Sequence, residues 1–383
     1  MTTSSSPKRI LIRTLPLANG NYGGILQAYA LQRTLRDMGH SVSTDVSSKP
    51  TALGSVYRAA IPVKRAALKR PLLARELDDL INDRLLRFVS DHIQTVRLFG
   101  ATARARASVI RDFDLFVTGS DQVWRPNYGS VASYMFDFLG SGRLSRPRIS
   151  YAASFGVNES SEFDPAMRTS TAELAARFAA ISVREADGVR VAEELWGVRA
   201  AQHVDPTLLI SRDDYSQLAD AAPPVAPPPY LATYVLDADP KLERAISNAS
   251  SVTQLPAIPL NRPKPPSVAQ YIQAPENYSK ISIETWLRGI RDAEFLITDS
   301  FHGCVFAVMF EVPFAVVPNS SRGRSRFDSL LGMFGLEDRI LDLDSEMVAQ
   351  LSKLATSQID WASVRTIIAR ERVRSNDYLL ENC

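Results

Sequence analysis

The chain alternates short apolar runs with polar loops and with apolar positions at helical spacing. Arg9–Thr14 (RILIRT) has strand character. A polar, glycine-containing loop follows from Pro16 to Gly24, and Ile25–Met38 then places Ile25, Tyr29, Leu31, Leu35 and Met38 on a helical pattern. Gly39 ends that helix, and Ser41–Val46 reads as a second strand. This is a strand–loop–helix–strand unit of a parallel sheet. Its first loop lies at the carboxyl end of a strand, where open α/β sheets bind ligands. Residues 76 to 93 read as a helix. Phe113–Thr118 (FDLFVT), Ile149–Ser154 (ISYAAS) and Ala180–Val183 (AISV) read as three further strands. Each ends in small or charged residues: Gly119-Ser120-Asp121-Gln122, Phe155-Gly156 and Arg184-Glu185.

A second unit repeats this layout. Prolines 223, 224, 227, 228 and 229 cannot sit inside helices or central strands, so they form a loop before the strand Tyr230–Leu236. Ile283–Ala293 reads as a helix, Glu294–Thr298 as a strand, Asp299 to Gly303 as a turn, Cys304–Phe310 as a buried helix and Pro313–Val317 as a strand. The expected division is an N-terminal domain at residues 1–206, a second at 207–350, and a C-terminal helical segment at 351–383 that packs back on the domains. The fold class is therefore α/β, with two Rossmann-like parallel-sheet domains.

Composition narrows the function. The 383 residues carry 44 Lys and Arg against 42 Asp and Glu, a formal charge of +2. That balance speaks against nucleic-acid binding by bulk charge. Hydrophobic residues make up 45%, which excludes a disordered chain. The two cysteines, Cys304 and Cys383, give neither a disulfide framework nor a zinc site. No apolar stretch reaches the length of a spanning helix, and the first residues lack a signal-peptide core, so a cytoplasmic location is expected. The charge is segregated: residues 51 to 75 hold six basic residues and no acid. That segment is read either as a solvated connector or as a peripheral contact with an anionic membrane surface or polyprenyl-phosphate carrier.

The chemical candidates cluster at strand ends. His302 lies in TDSFHG, directly after a strand and at the start of a helix. Helix starts hold anions, and histidine moves protons near neutral pH. Asp299 and Ser300 are also read as helix caps. Arg322, Arg324 and Arg326 follow the next strand in a loop, where they suit a small polyanion or simply a solvated surface. Asp121 is open to two readings, a loop cap or a group that orients or deprotonates a hydroxyl. Trp124 is read as a buried core residue or as a platform for a sugar face. The GxxxxGK[ST] phosphate loop, the GxSxG elbow and HExxH are absent.

The runs NYGGILQAYALQRTLRDMGH, VTGSDQVW, ISVRE, HVDPTLL and ITDSFHG, with a later SRF, resemble the polysaccharide pyruvyl transferase family in content and order, over about residues 19 to 335. The resemblance implies a GT-B-like pair of domains facing a central cleft. It implies transfer of the enolpyruvyl carbons of phosphoenolpyruvate to hydroxyls of a sugar, oligosaccharide or lipid-linked glycan. Such acceptors are precursors of bacterial exopolysaccharide, cell wall or glycolipid. Phosphate is released, and no metal or organic cofactor is implied. His302 and Asp121 become the expected catalytic residues. Arg184, Ser300, Phe301, Gly303, Arg322, Arg324 and Arg326 become the expected phosphoenolpyruvate contacts. Asn21, Tyr22, Gly23, Ser120 and Gln122 become the expected acceptor contacts. Two alternatives stand beside it. One is a GT-B glycosyltransferase or epimerase using a nucleotide sugar, with Glu311 as the nearest candidate for a ribose contact. The other is a non-catalytic carbohydrate-binding protein that has kept the fold.

Overall fold

The computed structural model describes residues 6–48, 74–100, 104–140, 145–237, 239–318, 323–342 and 346–383. The chain divides into two compact units, residues 1–206 with 374–383, and residues 207–373.

In the first unit, β1 (Arg9–Arg13), β2 (Ser41–Asp45), β3 (Thr95–Val96), β4 (Leu115–Thr118) and β5 (Arg148–Ser150) form one sheet in the order β3-β2-β1-β4-β5. Every pairing in it is parallel. β6 (Ser182–Val183) and β7 (Ala201–Gln202) add a short parallel ladder, tied to the end of β5 by the bridges Ile149–Ala180 and Ala153–Val183. The chain thus winds outward in one direction from β1 to β3 and in the other from β4 to β7. The reversal lies between β1 and β4, and such switch points open a crevice at the carboxyl edge of a doubly wound sheet. Ile10, Leu11, Ile12, Phe116 and Val117 are fully buried, as a sheet covered on both faces requires. Trp124 packs against Phe155 and Trp196, with ring centroids 5.4 and 5.0 Å away, and is completely buried. It is a core residue and presents no face to a sugar.

The second unit is built the same way from β8 (Leu231–Tyr234), β9 (Ala257–Pro259), β10 (Phe295–Thr298) and β11 (Phe314–Val316), in the order β11-β10-β8-β9 with all pairs parallel. Its switch point lies between β8 and β10. The helix Phe301–Phe310 is buried along its whole length, which follows from its apolar sequence FHGCVFAVMF.

Several expectations change, among them the start of the buried helix, which lies at Phe301 and not at Cys304. The first helix begins at Tyr22, three residues early, because the exposed Asn21 caps it by accepting the Gly24 N–H at 3.2 Å. Tyr22 and Gly23 are therefore buried in a helical first turn and do not lie on an open loop. The expected helix over 76–93 is two, Ala74–Ile81 and Asp83–His92. Asn82 interrupts it with its side chain pressed against Gly20, where any Cβ would stand 2.1 Å from Asn82 Oδ1. The end of the arginine loop, from Ser325, is the start of a helix, Ser325–Phe334, which takes in Arg326 and leaves Arg324 just before it. The C-terminal segment is two helices, Met347–Thr356 and Trp361–Asn382, and the last helix contributes residues up to 373 to the second unit and the remainder to the first. Residues 51–73 of the basic segment, and Arg322, lie outside the described residues. Among the described residues no helix is long and apolar enough to cross a membrane.

Candidate functional site

Both switch points gather the residues that the sequence singles out. In the first unit, the loops after β1 and β4 are stitched together by Thr14, whose hydroxyl donates to the Ser120 carbonyl at 2.7 Å. Gln27 donates to the same Thr14 oxygen at 3.0 Å and to the Gly24 carbonyl at 2.9 Å, so the first helical turn is fixed to the loop. Asp121 sits at the junction with a backbone φ of +74°. A non-glycine residue in this region is uncommon, and aspartate tolerates it best because its short carboxylate bonds locally. Here Asp121 Oδ1 accepts the Gln122 N–H at 2.9 Å. Oδ2 faces the first turn of the helix, 3.6 Å from where a Cβ on Gly24 would stand. Gln122 Oε1 accepts from Arg125 at 3.3 Å. Gln122 also lies over Gly156, a φ of +72° position where any Cβ would come within 2.0 Å of Oε1.

Below these loops lies a buried ionic cluster. Arg184 leaves the end of β6 and donates to Glu185 at 3.2 Å and to Asp205 at 2.8 Å. Asp205 also accepts the Ser120 hydroxyl at 3.3 Å, and Glu185 accepts that of Ser154 at 2.5 Å. Burial disfavours the guanidinium charge, but the carboxylates of Glu185, Asp205 and Asp121 outweigh burial and raise the Arg184 pKa above its ordinary value. Two carboxylates in direct contact more than balance one cation. The arginine is only 2% exposed at its side chain. It therefore anchors the Ser120 and Ser154 loops and does not stand as an open positive subsite. Ser120 likewise spends its hydroxyl inward, on Asp205 and on the Ala152 carbonyl at 2.8 Å.

A second buried pair escaped the sequence reading. Arg13, the last residue of β1, is ion-paired with Asp45 and bonded to Ser133, and its guanidinium lies 4.9 Å from the Phe99 ring. Its signal was weak, because partners 32 and 120 residues away do not reveal themselves by spacing.

In the second unit, Thr298 ends β10 and ties the switch point together. Its hydroxyl donates to the Tyr234 carbonyl at 2.7 Å and accepts the Ser300 N–H at 3.0 Å. Ser300 caps the helix, accepting the Gly303 N–H at 3.4 Å. Asp299 is not a helix cap. It reaches across to the loop after β8 and accepts the N–H groups of Leu236 and Asp237 at 2.7 and 2.9 Å. Phe301 and His302 are thus the first two residues of the helix, at the end where unpaired N–H groups and the helix dipole favour an anion. Gly303 is dictated by packing, because a Cβ there would stand 2.4 Å from Thr298 Oγ1.

Of that loop's two arginines among the described residues, Arg326 lies beside this helix start. Arg326 is buried, with its guanidinium carbon 5.7 Å from the Phe301 ring, and that ring lies edge-on to His302 at 5.3 Å. Arg324 is exposed and engaged with Asp328 and Asp342 at 3.2 and 2.6 Å. Glu311, the candidate ribose contact of a nucleotide-sugar enzyme, ends the same helix and is paired with Arg212 and Arg365 at 3.1 and 2.9 Å. Burial pushes the Cys304 thiol far above its usual range, so it is no nucleophile. Among the described residues no group of three or more His, Cys, Asp or Glu is placed to hold a metal ion.

The family model described as polysaccharide pyruvyl transferase matches residues 21–321, more than half of the chain. No curated protein compared with the chain matches it. Among solved structures, the UDP-GlcNAc 2-epimerase of Methanocaldococcus jannaschii superposes with a TM-score of 0.48 at 10% identity, over 97% of this chain and 99% of that one. The UDP-GlcNAc 2-epimerase of Neisseria meningitidis gives 0.45 at 9% identity, over 96% and 100%. A calicheamicin glycosyltransferase gives 0.43 at 14% identity, over 97% and 96%. At these values the three say nothing about this chain's activity.

Proposed function

We propose, since the chain belongs to the polysaccharide pyruvyl transferase family, that it moves the pyruvyl carbons of phosphoenolpyruvate onto two hydroxyls of a sugar and releases phosphate. The observation that carries the reading is His302. It is the second residue of a helix that starts directly at the switch point of its sheet, and it packs against Phe301, whose ring also neighbours the Arg326 guanidinium.

In this reading one anionic group of phosphoenolpyruvate rests on the N–H groups at the start of the helix, with Arg326 beside it. His302 gives its proton to the methylene carbon. C2 then carries oxocarbenium-like charge, and a sugar hydroxyl adds to it. Phosphate leaves with its bonding electron pair, and a second hydroxyl of the sugar closes the ketal. Two hydroxyl protons are released in total. One restores His302, and the other leaves with phosphate. The acceptor lies in the first unit, at the loops holding Asn21, Asp121 and Gln122, where Asp121 relays the hydroxyl proton that ends on phosphate. Arg184 supports this surface from below by holding Ser120 through Asp205.

The test is direct. His302→Gln lowers turnover at least about 10²-fold, the least that positioned proton transfer contributes, and leaves the circular dichroism and melting curve unchanged. A His302→Gln protein that keeps near-normal turnover overturns the assignment.

A further inference from the structure

The loop after β4 offers an aromatic surface, at Tyr128, that the expected site residues do not include. From Gln122 the chain makes two successive turns, with Arg125 N–H donating to the Gln122 carbonyl at 3.2 Å and Tyr128 N–H to the Arg125 carbonyl at 3.0 Å. Pro126 opens the second turn, Pro126–Tyr128, and its ring presets the backbone angle there. Residues 127–130 form an exposed tip, and Tyr128 is 44% exposed, the largest side chain on it. One face of its ring is held by Arg125, whose guanidinium carbon lies 5.3 Å from the ring centroid. Arg125 is in turn locked: both its Nε and an NH₂ group donate to Glu162 at 2.8–3.3 Å, and its other NH₂ group donates to Gln122 at 3.3 Å.

An exposed tyrosine at a loop tip is ordinary. An exposed tyrosine backed by a buried, doubly anchored arginine is preorganised. The same arginine also touches Gln122, next to Asp121 at the switch point of the first unit. Trp124, the aromatic residue that the sequence suggests as a sugar platform, is sealed in the core, so Tyr128 is the aromatic face this loop leaves open. A tyrosine ring offers large, rigid contact area at low entropic cost, and it pairs with the C–H face of a pyranose while its hydroxyl stays wet.

We propose that Tyr128 is the stacking platform for a pyranose of the acceptor, a specificity-determining contact fixed in place by Arg125 and Glu162. This rests on the reading of the first unit as the acceptor side. The hydroxyls that receive the pyruvyl group then project toward Asp121 and Gln122 while the ring lies on Tyr128.

The experiment separates this claim from the proposed reaction. Binding of methyl β-galactoside, methyl β-glucoside, methyl α-mannoside and N-acetylmannosamine to the full-length protein is followed by saturation-transfer NMR, with no phosphoenolpyruvate present. At least one binds, with saturation strongest on ring C–H protons of one face. Tyr128→Ala weakens that binding about tenfold, and Tyr128→Phe keeps it within about twofold, as stacking requires. In turnover assays Tyr128→Ala raises the KM for the acceptor by the same factor and leaves the KM for phosphoenolpyruvate unchanged. Binding unaltered by Tyr128→Ala overturns the proposal, as does the failure of all four sugars to bind. If the sugar binds as described but phosphoenolpyruvate is never consumed, the platform stands and the reaction falls.

Discussion

Replacing Arg184 with methionine removes the cation that bridges Glu185 and Asp205, whose side chains are 3% and 0% exposed. Two charge-assisted hydrogen bonds, at 3.2 and 2.8 Å, disappear together. Breaking a buried pair by deleting one partner costs about 3–5 kcal/mol, because the remaining charge stays buried without its counter-ion. The hydroxyls of Ser154 and Ser120 still donate to the two carboxylates, which places the cost at the lower end, about 3 kcal/mol. For a unit of this size each kcal/mol moves the melting temperature by about 2–4 °C, so Arg184→Met should melt about 6–12 °C below the parent by differential scanning calorimetry. Asp205→Asn alone should also destabilise. The double variant should lose less than the sum by at least about 1 kcal/mol, because both changes break the same bond. A melting temperature within about 1 °C of the parent, combined with a higher KM for phosphoenolpyruvate, would refute the reasoning. It would mean that Arg184 acts on the donor and does not hold the loops.

Other outcomes follow from the second unit and from the thiols. Gly303→Ala drives a Cβ to 2.4 Å from Thr298 Oγ1, which ties the end of β10 to β8. It should destabilise by about 1–3 kcal/mol in urea titrations and lower turnover by displacing the helix start that carries His302. Gly332→Ala, in an adjacent helix with only ordinary contacts around a new Cβ, serves as the control and should fold normally. Cys304 and Cys383 are both buried, and burial raises both thiol pKa values, that of Cys383 to about 12. The reactive thiolate is therefore scarce at pH 8. The native protein should give no rapid reaction with a disulfide reagent, and two thiols should react after denaturation; a fast native thiol would contradict the burial.

The parallel α/β architecture was readable because its signals are local. Each β10-like segment is a short apolar run followed by small polar residues and then a helical pattern, and His302, Ser300 and Asp121 all sit at such joints. The order of strands was not readable, because it depends on which run pairs with which across helices of ten or more residues. The same reason hid the ionic clusters. Arg184 is adjacent to Glu185, but Asp205 lies 21 residues on and Ser120 lies 64 residues back. Only the folded sheet shows that the arginine is balanced from both sides. The glycines of Tyr22-Gly23-Gly24 suggested a loop, yet they occupy a first helical turn because Asn21 caps it. Likewise the Gly, Ser and Arg of the 323–326 stretch read as a solvated loop. Phe327, Leu330 and Leu331 pull it into a helix with a buried face and draw Arg326 in with them.

The decisive measurement is phosphate release from phosphoenolpyruvate by the purified full-length protein, with the four sugars above as acceptors, read together with the mass of the sugar product. Pyruvyl transfer predicts phosphate release that depends on acceptor, and a product heavier than the sugar by one pyruvate less one water. A protein that leaves phosphoenolpyruvate untouched with every acceptor, but consumes a nucleotide sugar in the same mixture, would contradict it.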